Sequence, residues 1–185
     1  MRILLKLASI LFLILGFASA VPAQDASKII QQYLRAAGGA KALARIQTLA
    51  IEGTIPAGTG GEPGTFTFYT KLPNRYYSEL IVGGRDYIAA YNGKSAWQQV
   101  ASGEFGTMLG PEAAQIEAAA QVANSRLVNL KKSKLAAVLL GHAQVRGKDA
   151  LQVEVTTASG AKRDLYFDPR THLMVKESAA GPSAA

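Results

Sequence analysis

From Thr48 onward, apolar and polar residues alternate in short runs separated by turn-forming residues. Most runs are five to eight residues long, and the gaps contain Gly, Pro, Asn or Asp. A period of two is the spacing of side chains on one face of a β-strand, and gaps this short join antiparallel neighbours, because parallel strands need long crossovers. The pattern therefore predicts two antiparallel meanders, one before and one after an alanine-rich segment at 111–127.

Two main helices are predicted around these strands. In "SKIIQQYLRAAGG" the apolar residues recur at spacings of three and four, and the two glycines end the helix. The second helix, at 111–124, begins with Pro111, and its apolar stripe is thin. Such a helix is expected to be loosely held, either as ordinary scaffold or as a movable cover over one edge of the sheet. The stripe consists of Ile116, Ala119, Ala120 and Ala123.

Three turns set the predicted register of the first meander. A three-residue loop over "LPN" pairs Lys71 with Arg75, a three-residue loop over "VGG" pairs Ser78 with Ile88, and a two-residue Asn-Gly turn pairs Ile88 with Trp97. Residues directly opposite one another share a face of the sheet. One apolar face is therefore predicted, made of Phe66, Phe68, Tyr76, Leu80, Ile88, Ala90 and Trp97.

The second meander is predicted to carry a matching apolar face. A three-residue loop over "ASG" pairs Val153 with Leu165 and Leu151 with Phe167. A sheet of seven or more such strands tends to curl. Helices that fill its hollow completely would make a core, whereas incomplete filling would leave an apolar pocket suited to acyl chains.

The N-terminus has the pattern of an export signal. Arg2 and Lys6 precede an apolar stretch that ends in small residues, and the segment 1–23 is expected to be removed. Residues 24–178 are then expected to form one domain and residues 179–185 a flexible tail. The expected location in a Gram-negative host is the periplasm.

Charge gives little evidence for a charged partner. The formal net charge is +7, and the loss of Arg2 and Lys6 lowers it to +5. No aromatic and basic nucleic-acid motif is present, so a nucleic-acid partner is not expected. The cluster of Lys131, Lys132 and Lys134 is interpreted as a solvated loop, with transient contact to anionic lipid headgroups as the alternative.

The sequence contains no recognisable catalytic or metal-binding motif. Cysteine is absent, and neither His142 nor His172 has a further ligand at a metal-site spacing. No serine stands in a nucleophile-elbow setting. Glu154 and Asp164 are predicted to be opposite one another on a polar face, where carboxylates are usually solvated. No enzyme activity, metal or cofactor is therefore predicted.

The chain resembles the LolA-type lipoprotein-sorting proteins and related periplasmic carriers over roughly residues 26–177. The likeness lies in the exported N-terminus and in "IIQQYLRAAGGAKALARIQTL", "GTFTFYTKLPNRYY", "YNGKSAW", "LGHAQVRGKDALQVEV" and "DLYFDPRTHLMVK". The resemblance implies an unclosed antiparallel half-barrel whose helices form a lid over a hydrophobic cavity. It also implies a carrier of lipoprotein acyl chains, a binder of other lipids, or an envelope-stress sensor.

Together these observations predict an α+β fold, with a curved antiparallel sheet whose concave face is covered by helices. The expected function is non-catalytic binding of lipids or lipoprotein acyl chains in the periplasm, with residues 111–124 as the lid. The alternative is an envelope sensor or assembly module that binds a protein through an open sheet edge. The predicted cavity wall consists of Phe66, Phe68, Tyr76, Leu80, Ile88, Trp97, Leu151, Val153, Leu165 and Phe167.

Overall fold

The structure is a computed structural model that describes residues 23–57, 61–99 and 103–179. Nearly all of the predicted export signal, residues 1–22, and most of the predicted tail, residues 180–185, lie outside the described residues. None of the described helices is long and apolar enough to cross a membrane.

The described elements are three helices and ten strands. The helices are α1 (Ala23–Ala36), α2 (Ala40–Leu43) and α3 (Gly110–Ser125). The first six strands are β1 (Thr48–Ile55), β2 (Gly64–Lys71), β3 (Arg75–Val82), β4 (Arg85–Tyr91), β5 (Ala96–Gln99) and β6 (Phe105–Met108). The last four are β7 (Ala136–Val145), β8 (Lys148–Thr156), β9 (Lys162–Phe167) and β10 (Met174–Ala179).

All strand pairs are antiparallel, and neither sheet closes on itself. Strands β1 to β6 form the first sheet in chain order, and the second sheet has the order β10-β9-β8-β7. The α+β class and the unclosed antiparallel architecture are confirmed. The strands form two sheets rather than one, because α3 and its following loop separate β6 from β7. Strand β6 was not predicted from the sequence.

One turn of the first sheet is one residue shorter than predicted, and this difference moves the side chains of the following strands to the other face of the sheet. Val82 pairs with Arg85, so the hairpin loop is the pair Gly83-Gly84 rather than a three-residue loop. Their φ values are 58° and 71°, and a type I′ turn needs positive φ at both central positions, which two glycines supply. Ile88 consequently pairs with Glu79 instead of Ser78.

The next turn also differs, but without changing the face. Trp97 pairs with Ala90, because residues 92–95 form a longer loop than the predicted two-residue turn. The Asn92 side-chain oxygen accepts hydrogen bonds from the backbone N–H groups of Lys94 and Ser95, both at 2.9 Å. A shift of two positions leaves Trp97 on the face of Ile88 and Ala90.

These registers define two faces of the first sheet. The inner face carries Phe66 and packs against α3, and the outer face carries Trp97. The predicted pairings Lys71–Arg75, Val153–Leu165 and Leu151–Phe167 are confirmed. The prediction that Phe66 and Trp97 share one face is wrong, since the slip at the two-glycine turn moves every residue of β4 and β5 to the other side.

The helix α3 lies between the two sheets. Ala120 packs against Tyr91 and Ala96 of the first sheet, while Val122 belongs to the core formed by α1 and the second sheet. Ala118 and Ala120 are fully buried. Alanine has the smallest side chain that still favours a helix, so the helix can approach both sheets closely. The expected loose packing of this helix is not observed.

Candidate functional site

The predicted wall residues of β2 and β3 lie together on the inner face. Phe66, Phe68, Tyr76 and Leu80 are all half-buried, and the rings of Phe68 and Tyr76 meet edge to face at 5.3 Å. Tyr87 extends this face and remains 38% exposed. The inner face is therefore apolar and incompletely covered beyond the reach of α3.

The predicted wall residues of the second sheet form a packed core. Val153 and Leu165 are fully buried, Phe167 is almost so, and Leu151 is half-buried beside them. The Phe167 ring packs against Tyr33 of α1, with the centroids 5.5 Å apart. The expected hollow is filled here, because the apolar stripe of α1 occupies it.

Ile88 and Trp97 lie on the outer face and are not part of the inner wall. Tyr69, Tyr77, Ala90 and Trp97 stand opposite one another on four adjacent strands. Because Ala90 is small and its neighbours Tyr77 and Trp97 are large, a groove runs along β4 between two aromatic walls. We call it the Trp97 groove, and it is formed by Tyr69, Tyr77, Ile88, Ala90, Trp97 and Phe105.

The groove consists of two hollows that share Tyr77, Ala90 and Trp97 in their lining. One has a volume of about 410 Å³ and is lined by Tyr69, Tyr77, Ala90 and Trp97, and the other has about 200 Å³ and extends to Phe105. Trp97, the only tryptophan of the chain, is 40% exposed. Its indole N–H donates to Ser95 Oγ at 3.1 Å, which holds the ring beside the β4–β5 turn.

The two ends of the groove differ in charge. Lys71 and Arg75, which pair across the β2–β3 turn, line the end near Tyr69. The Tyr69 hydroxyl donates to Glu52 Oε1 at 2.9 Å, and this hydrogen bond raises the pKa of Tyr69. Burial, followed by the nearby charge of Glu79, raises the pKa of Tyr77. Both phenols thus stay neutral, and the cations at one end adjoin an apolar trough.

The predicted lid residues occupy the interface between α3 and the sheets. Ala119 and Ala120 are buried, and Ile116 and Ala123 are half-buried. Ile116 packs with Tyr91, Ala96 and Ala120. The helix packs against both sheets, and its role as a movable lid stays a prediction.

The remaining polar side chains considered in the sequence are those of His142, Glu154 and Asp164. His142 Nδ1 lies 3.0 Å from the Asp149 carboxylate, and both side chains are exposed. Glu154 forms an ion pair with Lys162 at 2.9 Å, and it faces Asp164 across β8 and β9 as predicted. Asp164 is buried, whereas the sequence predicted a solvated carboxylate there, and desolvation raises its pKa.

Exposed apolar residues also mark the sheet edges on which the partner-binding alternative depends. Phe105 of the edge strand β6 is 67% exposed, and Leu173, Met174 and Val175 at the start of β10 are exposed as well. Within the described residues, β6 pairs only with β5, and β10 only with β9. Partner binding through an edge stays a prediction.

Sequence reasoning missed the groove because the predicted register places Tyr77 and Trp97 on different faces of the sheet. The signal that could have revealed the correct register is the pair Gly83-Gly84. Two consecutive glycines can form a two-residue hairpin turn by themselves, so Val82 belongs to the strand and not to the loop. With that loop, the alternation of β3 and β4 places Tyr77, Ala90 and Trp97 on one face directly from the sequence.

The sequence matches no family model, and no curated protein is significantly similar to it. A putative outer membrane lipoprotein-sorting protein domain from Vibrio parahaemolyticus is 14% identical, with 84% of this chain and 74% of that chain covered and a TM-score of 0.39. A LolA superfamily protein from Nitrosomonas europaea is 15% identical, over 89% of this chain and 74% of that one, with a TM-score of 0.37.

A chain of the Pseudomonas aeruginosa MucA/MucB complex is 16% identical and has a TM-score of 0.35. The match covers 87% of this chain and 53% of that one, so this chain spans about half of its length. The proteins from Vibrio and Nitrosomonas have names of the family that the sequence resembles. At these TM-scores, none of the three likenesses carries an argument about function.

Proposed function

We propose that the protein is a non-catalytic periplasmic binder of amphiphiles with an acyl chain, such as lipids or lipoproteins, and that the chain lies in the Trp97 groove. The observation that carries the proposal is the exposed aromatic trough along β4, with Lys71 and Arg75 at one end. An acyl chain lying in the trough would cover its apolar side chains. The anionic head group of the same molecule would lie beside Lys71 and Arg75.

The affinity would come mainly from desolvation of the apolar trough. Burial of apolar surface contributes about 25 cal/mol per Å². Loss of about 60 Å² of contact with an indole would cost about 1.5 kcal/mol, which is roughly tenfold in affinity. A single side chain of the groove is therefore expected to have a measurable effect.

The test is titration of a fluorescent fatty acid into delipidated protein and two variants. Trp97→Ala is expected to weaken binding about tenfold or more, because it removes one wall of both hollows. Tyr87→Ala is the matched control, since Tyr87 is equally exposed but lies on the inner face of β4. Its affinity is expected to stay within about twofold of wild type.

A third variant separates loss of binding from loss of folding. Ala90→Leu keeps every other groove side chain and extends from the floor into the open groove, so it is expected to abolish fatty-acid binding while the unfolding transition stays near that of wild type. If Tyr87→Ala is the weaker binder instead, the chain occupies the inner face and the groove assignment is wrong. If wild-type protein does not bind the fatty acid saturably, the proposed function is wrong.

A further inference from the structure

A second cavity, of about 830 Å³, lies at the C-terminal end of α3 and shares no lining residue with the Trp97 groove. Its walls come from the end of α3 and the following loop, from the α2 region, and from the β2–β3 and β8–β9 turns. Apolar side chains, among them those of Leu43, Leu72 and Val128, make up most of its exposed lining, and amides and hydroxyls such as those of Gln121 and Ser159 lie among them. A cavity that is mainly apolar, with a few polar groups, can hold a ligand and fix its orientation.

The charges around this cavity are predominantly positive. Arg126, Lys132 and Lys134 line it, against a single carboxylate among its described lining residues, that of Glu117. Burial, followed by the nearby charge of Glu117, raises the pKa of Tyr91. The cavity therefore has an excess of cations.

The guanidinium group of Arg126 has hydrogen-bond partners for only some of its donors. Its Nη2 donates to Thr70 Oγ1 at 2.8 Å, and its Nη1 donates to the carbonyl oxygen of Ala123. Its Nε is buried and has no hydrogen-bond partner among the described residues, and none of their carboxylates forms an ion pair with it. Desolvation lowers the pKa of Arg126, with Tyr33 opposing. A half-buried cation without a counter-ion among the described residues favours an anionic ligand.

The backbone at this point is held in an unfavourable conformation. Arg126 and Leu127 have φ values of 51° and 56°, in the left-handed region that non-glycine residues rarely occupy. Two consecutive residues of this kind cost about 1–2 kcal/mol each. This geometry ends α3 and directs the Arg126 side chain toward Thr70 of β2.

We infer that the cavity at the end of α3 binds a small oxyanion, a phosphate or carboxylate held by Arg126, Lys132 and Lys134. The supporting observations are the three cations against one carboxylate among the described lining residues, and the Arg126 Nε that has no partner among the described residues. The inference does not rest on the proposed function.

The test is an NMR titration of the full folded domain at constant ionic strength. The probes are inorganic phosphate, glycerol 3-phosphate, and vesicles of phosphatidylglycerol with phosphatidylcholine vesicles as the neutral comparison. Saturable shifts of the backbone amides of residues 126–134 are expected with glycerol 3-phosphate. Shifts with phosphatidylglycerol vesicles alone would identify a lipid headgroup as the source of the same anion.

Matched variants decide whether the cavity itself is responsible. Lys132→Ala combined with Lys134→Ala is expected to weaken binding at least tenfold, and Lys131→Ala less than twofold, because Lys131 lies in the same loop but does not line the cavity. Ala158→Glu leaves all three cations in place, adds a carboxylate at an exposed position of the rim, and is also expected to weaken binding.

Two results would overturn the inference. Equal losses in the Lys131→Ala and the double variant would show non-specific attraction to a basic loop. Absence of saturable shifts with all of the anionic probes would show that the cavity takes no oxyanion. Trp97→Ala is expected to leave this binding unchanged, so failure here is distinguishable from failure of the acyl-chain proposal.

Discussion

Gly84 is one of the two glycines of the β3–β4 turn, and this turn determines which side chains of the first sheet share a face. Its φ of 71° belongs to the left-handed region, and no atom within 4 Å would touch an added Cβ. Gly84→Ala is therefore expected to lower the free energy of unfolding by about 1–2 kcal/mol through backbone strain alone, as measured by urea denaturation.

Gly106→Ala is the matched control for this residue. Gly106 lies in β6 with equally open surroundings and without a positive φ, so its replacement is expected to change stability by less than about 0.5 kcal/mol. If both substitutions destabilised the protein equally, the cause would be the loss of a glycine as such. The left-handed conformation at the β3–β4 turn would then not explain the effect.

At the scale of elements, α3 is stabilised by the small size of its side chains. Ala120 is fully buried between Tyr91 and Ala96, so Ala120→Leu is expected to overpack the interface and to destabilise the protein by about 1–3 kcal/mol in urea denaturation. Ala36→Leu, at the exposed end of α1, is the control and is expected to be nearly neutral. A nearly neutral Ala120→Leu would instead support the loosely held, movable helix that the sequence predicts.

At the scale of the whole molecule, α3 joins the two sheets into one cooperative unit. It contributes Ala120 to the cluster on the first sheet and Val122 to the core of the second. Fluorescence of Trp97 reports on the first sheet only, whereas far-UV circular dichroism reports on both. The two urea unfolding curves are expected to coincide. Separate midpoints would mean that the sheets unfold independently.

The sequence by itself determined most of the strands, the turns over "LPN" and "ASG", and the positions of α1 and α3. Alternation within each strand and turn chemistry between strands are local properties, so both can be recognised without the tertiary structure. The pairing across "LPN" and that across "ASG" also followed from loop length, and they placed Phe66 opposite Leu80 and Val153 opposite Leu165.

The tertiary structure decided the face of each strand and the filling of the hollow. A one-residue change at the β3–β4 turn reverses every following side chain, so the loop geometry at two glycines separated Trp97 from Phe66. Contacts between residues distant in sequence decided the rest. The stripe of α1 fills the space over Phe167, and Arg126 reaches Thr70 across 56 positions, which no local pattern encodes.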